Sequence, residues 1–256
     1  MVPVTRRRRT VVGAATAVAA VAGILGVEAL LVVRRDFLGA DDAPPLTTTM
    51  SGPADGRPLR LAILGDSTAA GVGVTRTEDS VAARLAADAA RAGRRVALVP
   101  LGVSGARAAD LAGQVDAALT SPPDVAVVLV GANDSTHLTG LGSIRRDLRA
   151  AVAELRAAGV EVVVGTCPDM GTATAFARPL RDVVAWSGRR VAAAERKAVL
   201  DAGGRPVDIG AETGPAFRAD PDRYLSEDEF HPSADGYALW TEALLPAFHA
   251  ALAAAG

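Results

Sequence analysis

The sequence predicts an α/β fold in which a parallel sheet carries helices on both faces, preceded by an N-terminal transmembrane helix. Short, continuous apolar runs alternate with longer amphipathic segments, and this alternation predicts the sheet and its helices. A long apolar stretch that follows a run of arginines predicts the membrane helix. In a parallel sheet of this kind, the loops that follow the strands meet at one edge.

The composition excludes several classes of protein. The 256-residue chain has a formal net charge of -2, so it lacks the basic footprint of a nucleic-acid-binding domain. Cys167 is the only cysteine, which excludes a disulfide within the chain and a metal site built from several cysteines. The spacing of His, Asp and Glu residues does not indicate a metal site either. The oligomeric state has no signal in the sequence.

The N-terminal region predicts a membrane anchor. A basic segment (1–10) precedes an apolar stretch (11–33) in which Glu28 is the only charged residue. A helix of that length spans about 35 Å, enough for the hydrocarbon core of a bilayer, and Glu28 is near enough to its end to reach toward the interface. The arginines before the stretch favour a cytoplasmic N-terminus and an extracytoplasmic domain. A cleaved signal peptide, and hence a secreted protein, is the alternative, and a buried soluble helix is a third interpretation.

The remaining chain divides into a linker and one domain. Residues 34–58 are polar, aperiodic and contain Pro and Gly, which is typical of a flexible linker, so the domain is predicted to cover 59–256. Strands are predicted at 59–64, 95–101, 124–130 and 160–166. Helices are predicted at 80–92, 106–119, 144–158, 180–202 and 234–254.

Polar blocks follow three of the predicted strands, and another precedes the last helix. They are GDS ending at Ser67, GVSG ending at Gly105, GAND containing Asn133, and DEFHP containing Asp228 and His231. The topology of a parallel sheet brings all of them to one edge, where open α/β sheets bind ligands.

These residue types are the components of nucleophilic acyl transfer. Ser67 is the candidate nucleophile, His231 the base that removes its proton, and Asp228 the carboxylate that orients the imidazole. The Ser67 and Gly105 amides and the Asn133 side chain are candidate donors for an oxyanion hole. Taken alone, Ser67 is also compatible with a helix N-cap or a turn. A phosphate-binding loop is disfavoured, because the Gly-Lys-Ser/Thr ending is missing.

The four blocks, in this order, resemble those of the SGNH (GDSL-type) hydrolase superfamily over about residues 59–250. The resemblance implies a three-layer, flavodoxin-like α/β/α fold, a serine esterase mechanism and no cofactor. Two departures stand out: Thr68 replaces the leucine of the GDSL name, and SGAR (104–107) replaces the Ser-Gly-Asp-Thr of many members. Neither departure removes a candidate catalytic atom.

The expected function is therefore that of a serine esterase that hydrolyses carboxylic esters through an acyl-enzyme. Small-molecule, lipid and glycan esters all remain open as substrates. Two alternatives also remain open: an acyltransferase that uses a sugar or lipid acceptor, and a non-catalytic surface binding domain.

Overall fold

The computed structural model describes residues 23–32 and 34–256, with a six-stranded sheet at the centre in the order β1-β3-β2-β4-β5-β6. The strands are β1 (Thr49–Ser51), β2 (Arg57–Gly65), β3 (Arg94–Pro100), β4 (Val125–Leu129), β5 (Glu161–Gly165) and β6 (Arg205–Val207). The four sequence-predicted strands correspond to β2 through β5, which confirms the β-α-β pattern read from the apolar runs.

The sheet is mixed, so the prediction of a wholly parallel sheet is wrong at one edge. Strand β1 pairs with β3 in the antiparallel direction, whereas the pairs from β3 across to β6 are parallel. The β1 segment reads Thr-Met-Ser and none of its residues is buried, so it has no apolar run to mark it in the sequence. Backbone pairing with β3 alone places it in the sheet.

Helices cover both faces of the sheet, so the fold has three layers. They are α1 (23–32), α2 (Val81–Arg91), α3 (Leu111–Leu119), α4 (Ala132–Thr136), α5 (Leu141–Ala157), α6 (Leu180–Asp201), α7 (Ile209–Ala219), α8 (Pro221–Tyr224) and α9 (Ala234–Ala254). Along β2, Leu61 and Ile63 pack toward α2, α7 and α9, while Ala62 and Leu64 pack toward α3, α5 and α6. Each buried Leu or Ile contributes about 2 kcal/mol by leaving water.

The region predicted as a flexible linker, 34–58, is instead part of the domain. It contains a short 3-10 helix (Ala40–Asp42), strand β1 and the first residues of β2. The prediction is wrong because the segment has a polar, Pro-containing sequence without periodicity, which hides its packing. The segment joins the domain through backbone groups and single side chains, and such contacts leave no periodic pattern. The domain boundary at residue 59 is therefore too late.

The predicted anchor, 11–33, falls mostly outside the described residues. Its described part is α1, whose Glu28 was expected to reach toward a membrane interface. Glu28 is buried instead, and its Oε2 accepts a hydrogen bond of 2.8 Å from the Leu180 amide at the first turn of α6. A carboxylate there satisfies a free N–H and interacts favourably with the helix dipole. Within residues 23–32 and 34–256, no helix has both the length and the apolar character that a membrane span requires.

Candidate active site

Ser67 lies in a tight turn at the end of β2. Gly65 has φ +131, and a Cβ at this position would lie 1.8 Å from the Leu129 carbonyl oxygen, so only glycine lets β2 and β4 end this close together. The next residue, Asp66, closes the turn: its Oδ1 accepts hydrogen bonds from the Thr68 amide (2.9 Å) and hydroxyl (2.7 Å). The turn therefore holds Ser67 at the edge of the sheet.

Ser67, His231 and Asp228 form a continuous chain of hydrogen bonds. Ser67 Oγ is 2.9 Å from His231 Nε2, although 164 positions separate the two residues. On the other side of the ring, His231 Nδ1 is 2.6 Å from Asp228 Oδ2. Ser67 and His231 expose only 7% and 4% of their surfaces, so water competes weakly for these contacts. The structure thus brings together the three residues that the sequence singled out.

Asp228 is held by several donors besides the imidazole. Its Oδ1 accepts hydrogen bonds from Ser226 Oγ (2.9 Å), the Phe230 amide (3.0 Å) and the His231 amide (2.9 Å). Burial by itself raises the pKa of Asp228, but the hydrogen bonds and the charge of His231 outweigh it and lower the pKa well below its ordinary value. The carboxylate is therefore ionised and cannot rotate freely.

Gly105 and Asn133 lie on neighbouring loops at the same edge. The Val103 amide donates to the Gly65 carbonyl (3.0 Å), which holds the loop containing Gly105 beside the end of β2. Asn133 Nδ2 donates to the carbonyl of Ala106 (3.1 Å) and keeps a second N–H. In the described part of the chain, the Ser67 and Gly105 amides donate to no protein acceptor. Free donors are what an oxyanion hole requires.

Two supporting residues have no counterpart in the sequence prediction. The Gln114 side chain accepts from the Gly65 amide (2.7 Å) and donates to the Gly65 carbonyl (2.9 Å), so it pairs with β2 as a neighbouring strand would. Tyr237 donates its hydroxyl proton to the Val72 carbonyl (2.6 Å) and so ties the turn after Ser67 to α9. A polar residue on the buried face of an amphipathic helix was the available signal for Gln114.

Other titratable groups near the edge are buried. Desolvation raises the pKa of Asp66 to about 6, although the hydrogen bonds from Thr68 oppose the increase. Burial also raises the pKa of Glu195 and of the Cys167 thiol well above their usual values. A thiol with a raised pKa stays protonated and is a poor nucleophile. Among the described residues, no cluster of His, Cys, Asp and Glu side chains is arranged to hold a metal ion.

A cavity opens beside Ser67 and His231. Its walls include Met170 from the loop after β5, Phe217 from α7, and Trp240 from α9. Phe217 and Trp240 thus reach the cavity from helices and not from the loops at the sheet edge. The site therefore has an apolar wall against which the acyl or alcohol part of a substrate can pack.

A family model and a sequence relative both identify this chain as GDSL-like. A model described as the GDSL-like Lipase/Acylhydrolase family matches residues 63–239. The GDSL-like esterase Rv1075c of Mycobacterium tuberculosis is 43% identical over 197 residues, which cover 76% of this chain. The chain spans about 63% of the length of that relative.

Solved structures share the fold at low sequence identity. Axe2, an acetylxylan esterase from Geobacillus stearothermophilus, is 20% identical with a TM-score of 0.57 over 75% of this chain and 95% of that one. A putative GDSL-like lipase from Parabacteroides merdae is also 20% identical, with a TM-score of 0.60 over 76% and 97%. Since the matched region covers most of the chain and contains all the polar blocks, this protein belongs to the GDSL-like lipase/acylhydrolase family.

Proposed function

We propose that the protein is a serine esterase that hydrolyses carboxylic esters through an acyl-enzyme intermediate. The observation that carries the proposal is the unbroken hydrogen-bond chain from Asp228 through His231 to Ser67. A serine hydroxyl is a weak nucleophile unless an adjacent base takes its proton, and His231 Nε2 lies at the distance that this transfer needs.

In the proposed reaction, Ser67 Oγ attacks the ester carbonyl carbon while its proton moves to His231 Nε2. The imidazolium keeps its Nδ1 proton and donates a hydrogen bond through it to Asp228, whose ionised carboxylate stabilises the positive charge. The Ser67 and Gly105 amides and the Asn133 side chain stabilise the oxyanion, and each such donor contributes about 3 kcal/mol in the transition state. His231 then protonates the leaving alcohol, which leaves the acyl group on Ser67. Water next attacks the acyl carbonyl carbon while His231 takes its proton, and His231 returns this proton to Ser67 Oγ as the acid is released.

The wall of the cavity and the names of the structural neighbours both bear on the choice of substrate. The apolar side chains beside Ser67 favour a substrate with an apolar acyl or alcohol group over a charged one. Axe2 is named an acetylxylan esterase, which makes an acetylated glycan one candidate. Lipid and small-molecule esters are the others, and a series of p-nitrophenyl esters of increasing acyl length distinguishes short-chain from long-chain preference.

A fluorophosphonate probe tests the nucleophile directly. The full chain should form a one-to-one covalent adduct at Ser67, identified by peptide mass spectrometry, and should lose its p-nitrophenyl esterase activity in proportion to labelling. Heat-denatured protein is the matched control, because it keeps the serine but not the base beside it. Binding of ester without labelling or turnover would support a binding domain instead. Transfer of the acyl group to an added sugar in preference to water would indicate an acyltransferase.

We also propose that the apolar stretch before residue 23 holds the enzyme at a membrane, with the domain on the extracytoplasmic side. In α1, which continues this stretch, Ile24, Val27 and Leu31 expose half or more of their surfaces. The full chain should stay with the membrane pellet after carbonate extraction, and a chain without residues 1–22 should be released. A shortened, soluble product in the medium would indicate the secreted alternative.

A further inference from the structure

The segment 35–38, which we name the strap, contacts the Asp228–His231 pair from outside the predicted domain. It lies in the region that the sequence assigned to a flexible linker, and it joins α1 to the 3-10 helix at Ala40–Asp42. Separate residues of the strap contact the turn that contains Asp228 and the phenylalanine beside His231. A role for the strap in catalysis rests on the proposed esterase function.

Leu38 donates its amide proton to Asp228 Oδ2 over 3.2 Å. This is the same oxygen that His231 Nδ1 contacts, whereas the remaining donors to the carboxylate all bond to Oδ1. Among the described residues, Leu38 is therefore the one donor besides the imidazole that fixes Oδ2. A second donor on this oxygen restrains the direction of its contact with the imidazole.

Phe37 supports the His231 ring through Phe230. The rings of Phe230 and His231 are 5.0 Å apart and perpendicular, an edge-to-face arrangement that restrains rotation of the imidazole. Phe37 packs behind Phe230 at 5.3 Å and also contacts Phe176 at 6.4 Å. Without Phe37, Phe230 has a void behind it and more freedom to move away from the imidazole.

Arg35 holds the backbone of the catalytic turn. Its guanidinium donates to the Asp228 carbonyl oxygen (3.3 Å) and forms an ion pair with Glu229. Glu229 has φ +58, a left-handed conformation that costs a non-glycine residue about 1 kcal/mol. The Arg35 contacts help to maintain this turn, which sets the direction of the Asp228 side chain.

We propose that the strap is a positioning element of the catalytic machinery, with Leu38 as its central positioning residue. The strap acts through Asp228 and His231 and does not touch the reacting atoms. Its loss should therefore lower the rate of the chemical step and leave substrate binding unchanged. Because the strap directly follows α1, the N-terminal segment is built into the geometry of the site.

The test compares two substitutions at one position in the full chain. Leu38→Pro removes the amide proton, whereas Leu38→Ala keeps it and removes only the side chain. We expect Leu38→Pro to lower kcat by about 10-fold, the effect of one hydrogen bond to a charged group, with KM unchanged. Leu38→Ala should keep most of the wild-type kcat. Ala40→Pro is the matched proline control, since it lies at the first position of a 3-10 helix, where proline is tolerated.

Equal kcat values for Leu38→Pro and Leu38→Ala, in folded proteins, would overturn the proposal. If Leu38→Pro does not fold, Phe37→Ala decides: a fall in kcat of about 3-fold or more at constant KM supports the positioning role, and a wild-type kcat overturns it. Fluorophosphonate labelling of the wild-type chain separates this outcome from failure of the proposed function. A wild-type chain that neither labels nor hydrolyses esters refutes the esterase and the strap together.

Discussion

The variants Ser67→Ala and His231→Ala should each have a kcat about 10⁵-fold to 10⁶-fold below that of the wild type. The residual rate comes from oxyanion stabilisation and substrate binding alone. The two side chains act as one unit, because the hydroxyl is a nucleophile only when Nε2, 2.9 Å away, takes its proton. The double variant should therefore be no slower than either single variant. Steady-state hydrolysis of p-nitrophenyl acetate gives kcat for the two single variants and for the double variant.

Ser143→Ala and His249→Ala are the matched controls for this pair. Ser143 lies in the first turn of α5 and does not line the cavity beside Ser67, and His249 is half exposed and contacts Asp88. Both controls should keep the wild-type rate. A double variant that is slower than the single variants by a further large factor would show that Ser67 and His231 act independently, which the mechanism does not allow.

Asp228→Asn should lower kcat by about 10⁴-fold with little change in the fold. Three donors bond to Oδ1, so the amide oxygen of the asparagine should take that position and its NH₂ group should take the position of Oδ2. The NH₂ group then donates to His231 Nδ1, which leaves the ring proton on Nε2. An Nε2 that carries a proton cannot accept the proton of Ser67.

The loss of activity in Asp228→Asn should appear in kcat and in the rate of fluorophosphonate labelling. Its circular dichroism spectrum and its affinity for ligands should stay close to wild type. Glu227→Gln is the control, because this neighbouring carboxylate is exposed and takes no part in the contacts to Asp228 and His231. The control should keep kcat close to wild type. An Asp228→Asn variant with nearly wild-type activity would mean that the carboxylate does not orient the imidazole.

The sequence by itself determined the central strands, the long helices and the positions of the catalytic candidates. Strands β4 and β5 and most of β2 are buried on both faces, so nearly all of their residues are apolar and the runs are continuous and visible. Parallel topology then places the ends of these strands together, which is why Ser67, Asn133 and His231 were recognisable before any distance was known.

Only the tertiary structure decided the edge strand β1, the strap and the supporting roles of Gln114 and Glu28. Each depends on hydrogen bonds or side-chain contacts between segments far apart in the chain, as with Glu28 and Leu180, which are 152 positions apart. Apolar periodicity reports burial along one segment, but it carries no information about which distant N–H or carbonyl a polar group will meet. For this reason a stretch with the composition of a linker could form part of the active-site support.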